Sequence, residues 1–170
     1  MSYLSLHSPV GDLTLHEDNG ALISLDWGWV TDAVPNRPDP APVLFKARDQ
    51  LNDYFDGKCW DFDLPLAPRG TEFQQRVWQG MCAIPAGKTR TYGDLARDLK
   101  SAARAVGTAC GANPIALIIP CHRIVAAAGL GGYSGAGGVT TKIQLLRLEG
   151  VALPAEAAVA HDLEAELRAL

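Results

Sequence analysis

The sequence predicts two unequal parts in one chain: an N-terminal α/β part with a small antiparallel sheet over residues 1–68, and a mainly helical part with a helix-turn-helix over residues 69–170. Three observations carry this. Short segments rich in Leu, Ile and Thr at 3–8, 11–17 and 21–27 are punctuated by the turn-formers Gly11 and Gly20. Pro65, Pro68 and Gly70 break the chain where its charge changes sign: residues 1–68 hold 4 basic and 11 acidic side chains, and residues 69–147 hold 10 basic and 3 acidic. Beyond that break, apolar residues recur at helical rather than alternating spacing.

The elements follow in order. The three N-terminal segments read as strands. A loop with Pro35, Pro38, Pro40 and Pro42 leads to a helix over 43–56, where Leu44, Ala47, Leu51, Tyr54 and Phe55 share one face and Gly57 ends it. Asp61 to Leu64 suggests one more strand. Thr71 is a good N-cap for a helix through Phe73, Val77, Trp78 and Met81 that stops before Pro85-Ala86-Gly87. Thr91 caps a second helix from Tyr92 to about Leu99, and a third, rich in small residues, runs from about Ser101 to Cys110. The apolar run Ile115 to Ile119 reads as a short buried strand closed by Pro120. A glycine-rich loop at 129–138 precedes a helix from about Thr140 to Glu149 with Gly150 at its end, and the tail 155–169 reads as helical.

Composition narrows the function. Hydrophobic residues make up 48% of the chain and charged residues 20%, with mean hydropathy +0.03, the profile of a soluble globular protein. No apolar run approaches the ~20 residues of a membrane-spanning helix, and the N-terminus lacks a secretory signal pattern, so a cytoplasmic protein is expected. Cys59, Cys82, Cys110 and Cys121 form no C-x-x-C pair, and His7, His16 and His161 lie far from them in sequence; reduced thiols and no metal site are expected. The net charge is −4, but the basic middle segment suits an anionic partner.

Three features carry chemistry. Pro120-Cys121-His122-Arg123 sits at the end of the apolar run. A cysteine is usually a small core residue, but a thiol beside His and Arg where the chain surfaces has the setting of a nucleophile. The paired helices 92–99 and 101–110 resemble a helix-turn-helix, although any helical hairpin in a core has the same outline. On the second helix Ala102, Ala103, Ala105 and Gly107 leave little bulk around Arg104, which suits close approach to a groove with one cation inserted. The loop from Gly129 to Gly138, with Tyr133 and Ser134, lacks the lysine of a phosphate loop; it is either a flexible connection or a pocket wall offering backbone N–H groups.

Together these residues resemble a family, the O6-alkylguanine-DNA alkyltransferases or methylated-DNA–protein-cysteine methyltransferases. The resemblance rests on Gly70-Thr71-x-Phe73-Gln74-x-x-Val77-Trp78, Ile84-Pro85-x-Gly87-x-Thr89-x-Thr91-Tyr92-Gly93, Ala103-Arg104-Ala105-Val106-Gly107, Asn113-Pro114, Pro120-Cys121-His122-Arg123-Ile124, Gly132-Tyr133-Ser134-Gly135 and Glu149-Gly150. It covers residues 70–150 closely and 43–66 loosely. It implies a ribonuclease-H-like N-terminal domain and direct-reversal repair of double-stranded DNA, with the alkyl group of O6-alkylguanine (and O4-alkylthymine) moved irreversibly, in a single turnover, to Cys121. His122 would act as base through a water and Glu149 would orient it. Tyr92 would donate to the purine, the Ser134 N–H would face O6, and Tyr133 would wall the pocket. The Cys121 and Ile124 carbonyls would accept from the exocyclic amine. The target nucleotide would be flipped out, with Arg104 filling the gap and Ala102, Ala103 and Gly107 against the minor groove. Asn113 would tie that helix to the active-site segment. The resemblance implies no cofactor and a monomer.

The chain departs from the family pattern at two places. Lys100-Ser101 stands where a longer Gly-x-Pro turn is common, and Ala116 where proline is frequent. Three rivals remain. A non-catalytic binder that flags alkylated DNA for other enzymes would lack the active cysteine. A cysteine hydrolase normally draws its Cys and His from distant parts of the chain. A helix-turn-helix regulator would need a domain that this chain does not spare.

Overall fold

The computed structural model describes residues 1–31 and 35–153, so the expected helix over 155–169 lies outside the described residues. Strands β1 (Ser2–Leu6), β2 (Leu13–Asp18) and β3 (Ala21–Trp27) form an antiparallel sheet in that order. The register places Leu4 opposite Leu15 and Leu15 opposite Leu25, so one face of the sheet is a leucine layer. Helix α1 (Pro42–Phe55) starts with proline in its first turn, where the missing N–H costs nothing, and lays Leu44, Ala47, Leu51 and Tyr54 on that layer.

The expected strand at Asp61–Leu64 does not form. The Gln50 side chain takes both backbone groups of Asp63, accepting from its N–H at 2.9 Å and donating to its carbonyl at 3.1 Å. Pairing with the sheet begins later and lasts one residue. Leu22 N–H donates to the Pro65 carbonyl at 2.9 Å and Ala67 N–H to the Leu22 carbonyl at 2.8 Å, a bridge between Leu22 and Leu66. Pro65 and Pro68, without N–H groups, keep it from extending.

Helix α2 (Glu72–Cys82) opens with a capping box between Thr71 and Gln74 and buries Val77, Trp78 and Met81. A two-residue strand β4 (Arg90–Thr91) leads into α3 (Tyr92–Asp98), capped by Thr91 with Asp94. Helix α4 (Ala103–Gly111) begins later than the sequence suggested. Lys100 takes a left-handed conformation (φ 54°), and Ser101 N–H turns back to the Ala96 carbonyl at 2.9 Å to close α3. Ser101 is therefore committed to ending one helix and cannot start the next. The Trp78 indole N–H donates to the Ala109 carbonyl at 2.9 Å, which fixes α4 against α2.

Residues 115–119 are not a strand. Ile118 N–H donates to the Ala116 carbonyl and Ile119 N–H to the Ile115 carbonyl, both at 2.9 Å, and Leu117 has φ 70°. The run is a tight coil buried on all sides, touching the sheet through one bridge between Ile115 and Leu25. Continuous apolarity without a period records burial but not conformation. The coil delivers a 3-10 turn (Cys121–Arg123), then β5 (Ile124–Val125), which pairs in parallel with β4. After the glycine-rich loop, α5 (Val139–Leu148) closes the described chain, and Gly150 follows with φ 85°.

Thr91 carries the cap of the helix that begins at Tyr92. Replacing a capping Thr by Ala costs about 1 kcal/mol, which for a chain this long is a fall in Tm of about 2–4 °C. Thermal unfolding of Thr91→Ala should show that loss and Thr91→Ser should recover most of it. Equal melting of both variants with the parent would remove the cap's role.

Candidate active site

The 3-10 turn sends Cys121 to one side of a short segment and His122 and Arg123 to the other. Cys121 N–H donates to the Ile119 carbonyl at 2.8 Å and Arg123 N–H to the Pro120 carbonyl at 3.0 Å, so the turn is held from both ends. Cys121 faces a pocket; His122 and Arg123 face the interior.

In the interior the two side chains converge on Glu149, the residue that ends α5. His122 Nε2 lies 2.8 and 3.1 Å from the two carboxylate oxygens. Arg123 donates through Nε at 2.9 and 3.1 Å and through Nη2 at 2.6 Å, while its Nη1 donates to the Ile84 carbonyl at 2.6 Å. The Tyr54 hydroxyl of α1 donates to Oε1 at 3.2 Å. The side chains of His122 and Glu149 are wholly buried. Burial pushes the Glu149 carboxyl up, but the hydrogen bonds from His122 and Arg123 outweigh it and hold it at about 2. An ionised carboxylate only accepts, so Nε2 of His122 must carry the hydrogen. Burial pushes the His122 pKa down against the pull of Glu149, which keeps the ring neutral. Its Nδ1 is then a bare lone pair. It is buried and meets no protein partner among the described residues.

On the other side of the turn is a pocket of about 300 Å³ lined by Tyr92, Gly107, Cys110, Gly111, Cys121, Gly132, Tyr133 and Ser134. Tyr92 stands at the first position of α3, and Gly107 belongs to α4. An added Cβ at Gly131, whose φ is 72°, would come within 3.0 Å of the Tyr92 ring, so glycine is required there. Tyr133 packs edge-on against Trp27 of β3, with ring centroids 6.4 Å apart, and its hydroxyl is buried without a protein partner among the described residues. Burial raises the Cys121 thiol, opposed by the Asn113 side chain, by Lys142 and by backbone N–H groups. Burial also raises Tyr92, which keeps its hydroxyl a donor.

The residues singled out by sequence fall into four groups. Cys121, Tyr92, Gly107, Tyr133 and Ser134 share the pocket, with His122 and Glu149 directly behind it. Asn113 joins α4 to the coil, donating to the Ile119 carbonyl at 2.8 Å and accepting from Ile115 N–H at 3.0 Å. Ala102, Ala103 and Arg104 are exposed at the start of α4, outside the pocket, and the Arg104 side chain has no partner among the described residues. Ile124 is buried, and its carbonyl accepts from the Lys142 ammonium at 2.6 Å. Among the described residues no group of three or more His, Cys, Asp or Glu side chains could hold a metal ion.

Sequence reading passed over Tyr54, Lys142 and the interior role of Arg123. Signals existed. A tyrosine on the apolar stripe of α1 needs a partner for its hydroxyl. Lys142 shares a helical face with Leu145, Leu146 and Glu149, so the helix periodicity buries it.

Glu149 supplies stability wherever it is ionised in both folded and unfolded chains. Its folded pKa of about 2 lies below the ordinary 4.5, so this stability is complete above about pH 4.5 and disappears as pH falls toward 2. Glu149→Gln leaves Arg123 buried without its anion, a loss of about 3–5 kcal/mol at pH 7. Urea unfolding should show that loss, and the gap to the parent should narrow below pH 4.5. A loss under about 1 kcal/mol, the net worth of one ordinary hydrogen bond, would mean that the carboxylate does not organise the interior.

Comparison with known proteins places this site in a family. Residues 72–151 match the 6-O-methylguanine DNA methyltransferase DNA binding domain, and residues 1–68 match the ribonuclease-like domain of the same family. The chain is 46% identical over 161 residues to the methylated-DNA–protein-cysteine methyltransferase of Mycobacterium bovis, covering 91% of this chain and 95% of that protein. It is 43% identical over 156 residues to the protein of the same name from Methanosarcina acetivorans, covering 88% of this chain and 99% of that one. The crystal structure of Mycobacterium tuberculosis OGT in complex with DNA superimposes with a TM-score of 0.77 at 44% identity, covering 88% of this chain and 93% of that one. The chain belongs to the 6-O-methylguanine DNA methyltransferase family.

Proposed function

We propose that this protein repairs alkylated DNA by moving the alkyl group from guanine O6 to Cys121. The observation that carries the proposal is the pairing of a pocket-facing thiol with an adjacent neutral histidine whose Nε2 hydrogen is fixed by a buried carboxylate. Such a histidine can take the thiol proton, through one water, at Nδ1. The sulfur then attacks the alkyl carbon, a C–S bond forms and the bond from carbon to O6 breaks. The electron pair leaves on guanine, with the Tyr92 hydroxyl hydrogen-bonded to the purine and the Ser134 N–H toward O6. The proton that His122 took from the thiol passes back through water to guanine, so the net products are the thioether and neutral guanine. The thioether that results has no ordinary reductive exit, so each chain reacts once.

The target carbon is out of reach inside a duplex, so the nucleotide must turn out into the pocket. Arg104 stands exposed beside the small residues Ala102 and Ala103, and Gly107 on the same helix reaches the pocket wall. This placement supports a reading in which α4 lies in the minor groove and Arg104 occupies the gap. We assign the site to the C-terminal part, 69–170, with residues 1–68 as its support. No helix among the described residues is long and apolar enough to cross a membrane.

The direct test is intact mass after incubation with a duplex bearing one O6-methylguanine, followed by peptide mapping. The expected result is one methyl group per chain, on Cys121, with no second addition in excess DNA. Tight binding with an unchanged mass would favour a lesion-flagging protein instead. Arg104→Ala should slow repair of a duplex lesion by tenfold or more, since unstacking a base costs about a few kcal/mol. It should leave the reactivity of Cys121 toward a small alkylating agent unchanged. An unaltered duplex rate would exclude Arg104 from flipping.

A further inference from the structure

Among the described residues the Tyr133 side chain has no hydrogen bond to hold it. It lines the pocket together with Cys121 and Ser134, and its hydroxyl is buried without a protein partner. The place of this wall is therefore set by packing. The ring packs edge-on against Trp27, with centroids 6.4 Å apart and planes at 83°. Gly135 sits against both rings: an added Cβ would collide with Tyr133 and lie 2.7 Å from the Trp27 indole. The bare glycine lets the loop backbone close on the pair.

Trp27 is a firm support because its backbone is clamped. It ends β3 opposite Leu13. The next residue, Gly28, donates its N–H to the Asp12 carbonyl at 2.8 Å, and its carbonyl accepts from the Thr14 hydroxyl at 2.7 Å. Two residues back, Leu25 donates its N–H to the Pro114 carbonyl at 2.9 Å and forms the bridge to Ile115. One strand of the N-terminal part thus meets the C-terminal part twice, at the coil that leads to Cys121 and at the loop that carries Tyr133.

We propose that Trp27 is a positioning residue that sets the size of the alkyl group the pocket accepts, by fixing the ring of Tyr133. The proposal rests on Cys121 being the alkyl acceptor. A pocket of about 300 Å³ has to hold the base together with its O6 substituent, so a shift of one wall changes what fits. Without the indole behind it, and with no hydrogen bond on its hydroxyl, the Tyr133 ring can retreat toward the sheet. The N-terminal part, which lines none of the pocket, would then govern its selectivity through a single side chain.

The experiment measures single-turnover transfer to Cys121, by peptide mass, from two copies of one duplex bearing either O6-methylguanine or O6-benzylguanine. Trp27→Ala should raise the benzyl-to-methyl rate ratio about tenfold, the effect of relieving about one methylene of misfit. Trp27→Phe, which keeps a ring against Tyr133, should stay near the parent ratio. The gain should vanish in a Tyr133→Ala background, because Trp27 acts through that ring. A general loosening of the fold would slow both substrates and leave the ratio where it is. An unmoved ratio in Trp27→Ala would overturn the proposal, as would the same gain with Tyr133 already removed. If Trp27→Ala does not fold, Trp27→Leu makes the same comparison, with a raised ratio expected and an unmoved one overturning. Transfer by the parent protein separates the two readings: none from either duplex would end both, whereas transfer with an unmoved ratio ends only the role of Trp27.

Discussion

The carboxylate of Glu149 is the interaction on which the rest of this structure depends. It is buried, ionised and shared by three donors from two distant parts of the chain: Tyr54 of α1, and His122 and Arg123 of the 3-10 turn. Arg123 is also tied to the Ile84 carbonyl beyond the end of α2. A buried charge of this kind is tolerated when every lone pair is used and the geometry is good. Its cost is offset by what it fixes: the end of α5, the 3-10 turn and the first helix of the N-terminal part meet at one group. Removing the carboxylate would unpair Arg123 and release His122 at once.

The same group gives the site its chemistry. The thiol is pushed up by burial and the imidazole down, so the resting pair is neutral and ready to exchange one proton. An ionised Glu149 dictates which nitrogen of His122 holds its hydrogen and which is free to accept. The N-terminal part takes a share in this, through the Tyr54 hydroxyl behind the histidine and through Trp27 against Tyr133 at the pocket wall. Its sheet is therefore coupled to the site although it supplies no residue to the pocket lining.

Much of this was legible in the amino acids. Thr71 and Thr91 announced two helix starts, and the segments rich in Leu, Ile and Thr punctuated by Gly11 and Gly20 announced a small antiparallel sheet. The string from Pro120 to Arg123, with Asn113, Arg104 and Glu149 at their spacings, announced the family. What was hidden was long-range. Ile115 to Ile119 looked like a strand because burial on all sides erases periodicity. Asp61 to Leu64 looked like one because the claim of Gln50 on the Asp63 backbone cannot be seen from neighbours in sequence. Tyr54 and Lys142 read as ordinary helix residues, since their hydroxyl and ammonium find their partners 95 and 18 residues away.

The central claim is that Glu149 fixes His122 as a neutral base with its proton on Nε2 and its lone pair on Nδ1. Nitrogen NMR of His122 in the resting protein, labelled at histidine, tests this most directly. The account predicts a protonated Nε2 and an unprotonated Nδ1 at neutral pH, with titration to the imidazolium only below the ordinary histidine range. A proton on Nδ1, or an imidazolium at pH 7, would contradict it, because His122 could then accept nothing from Cys121.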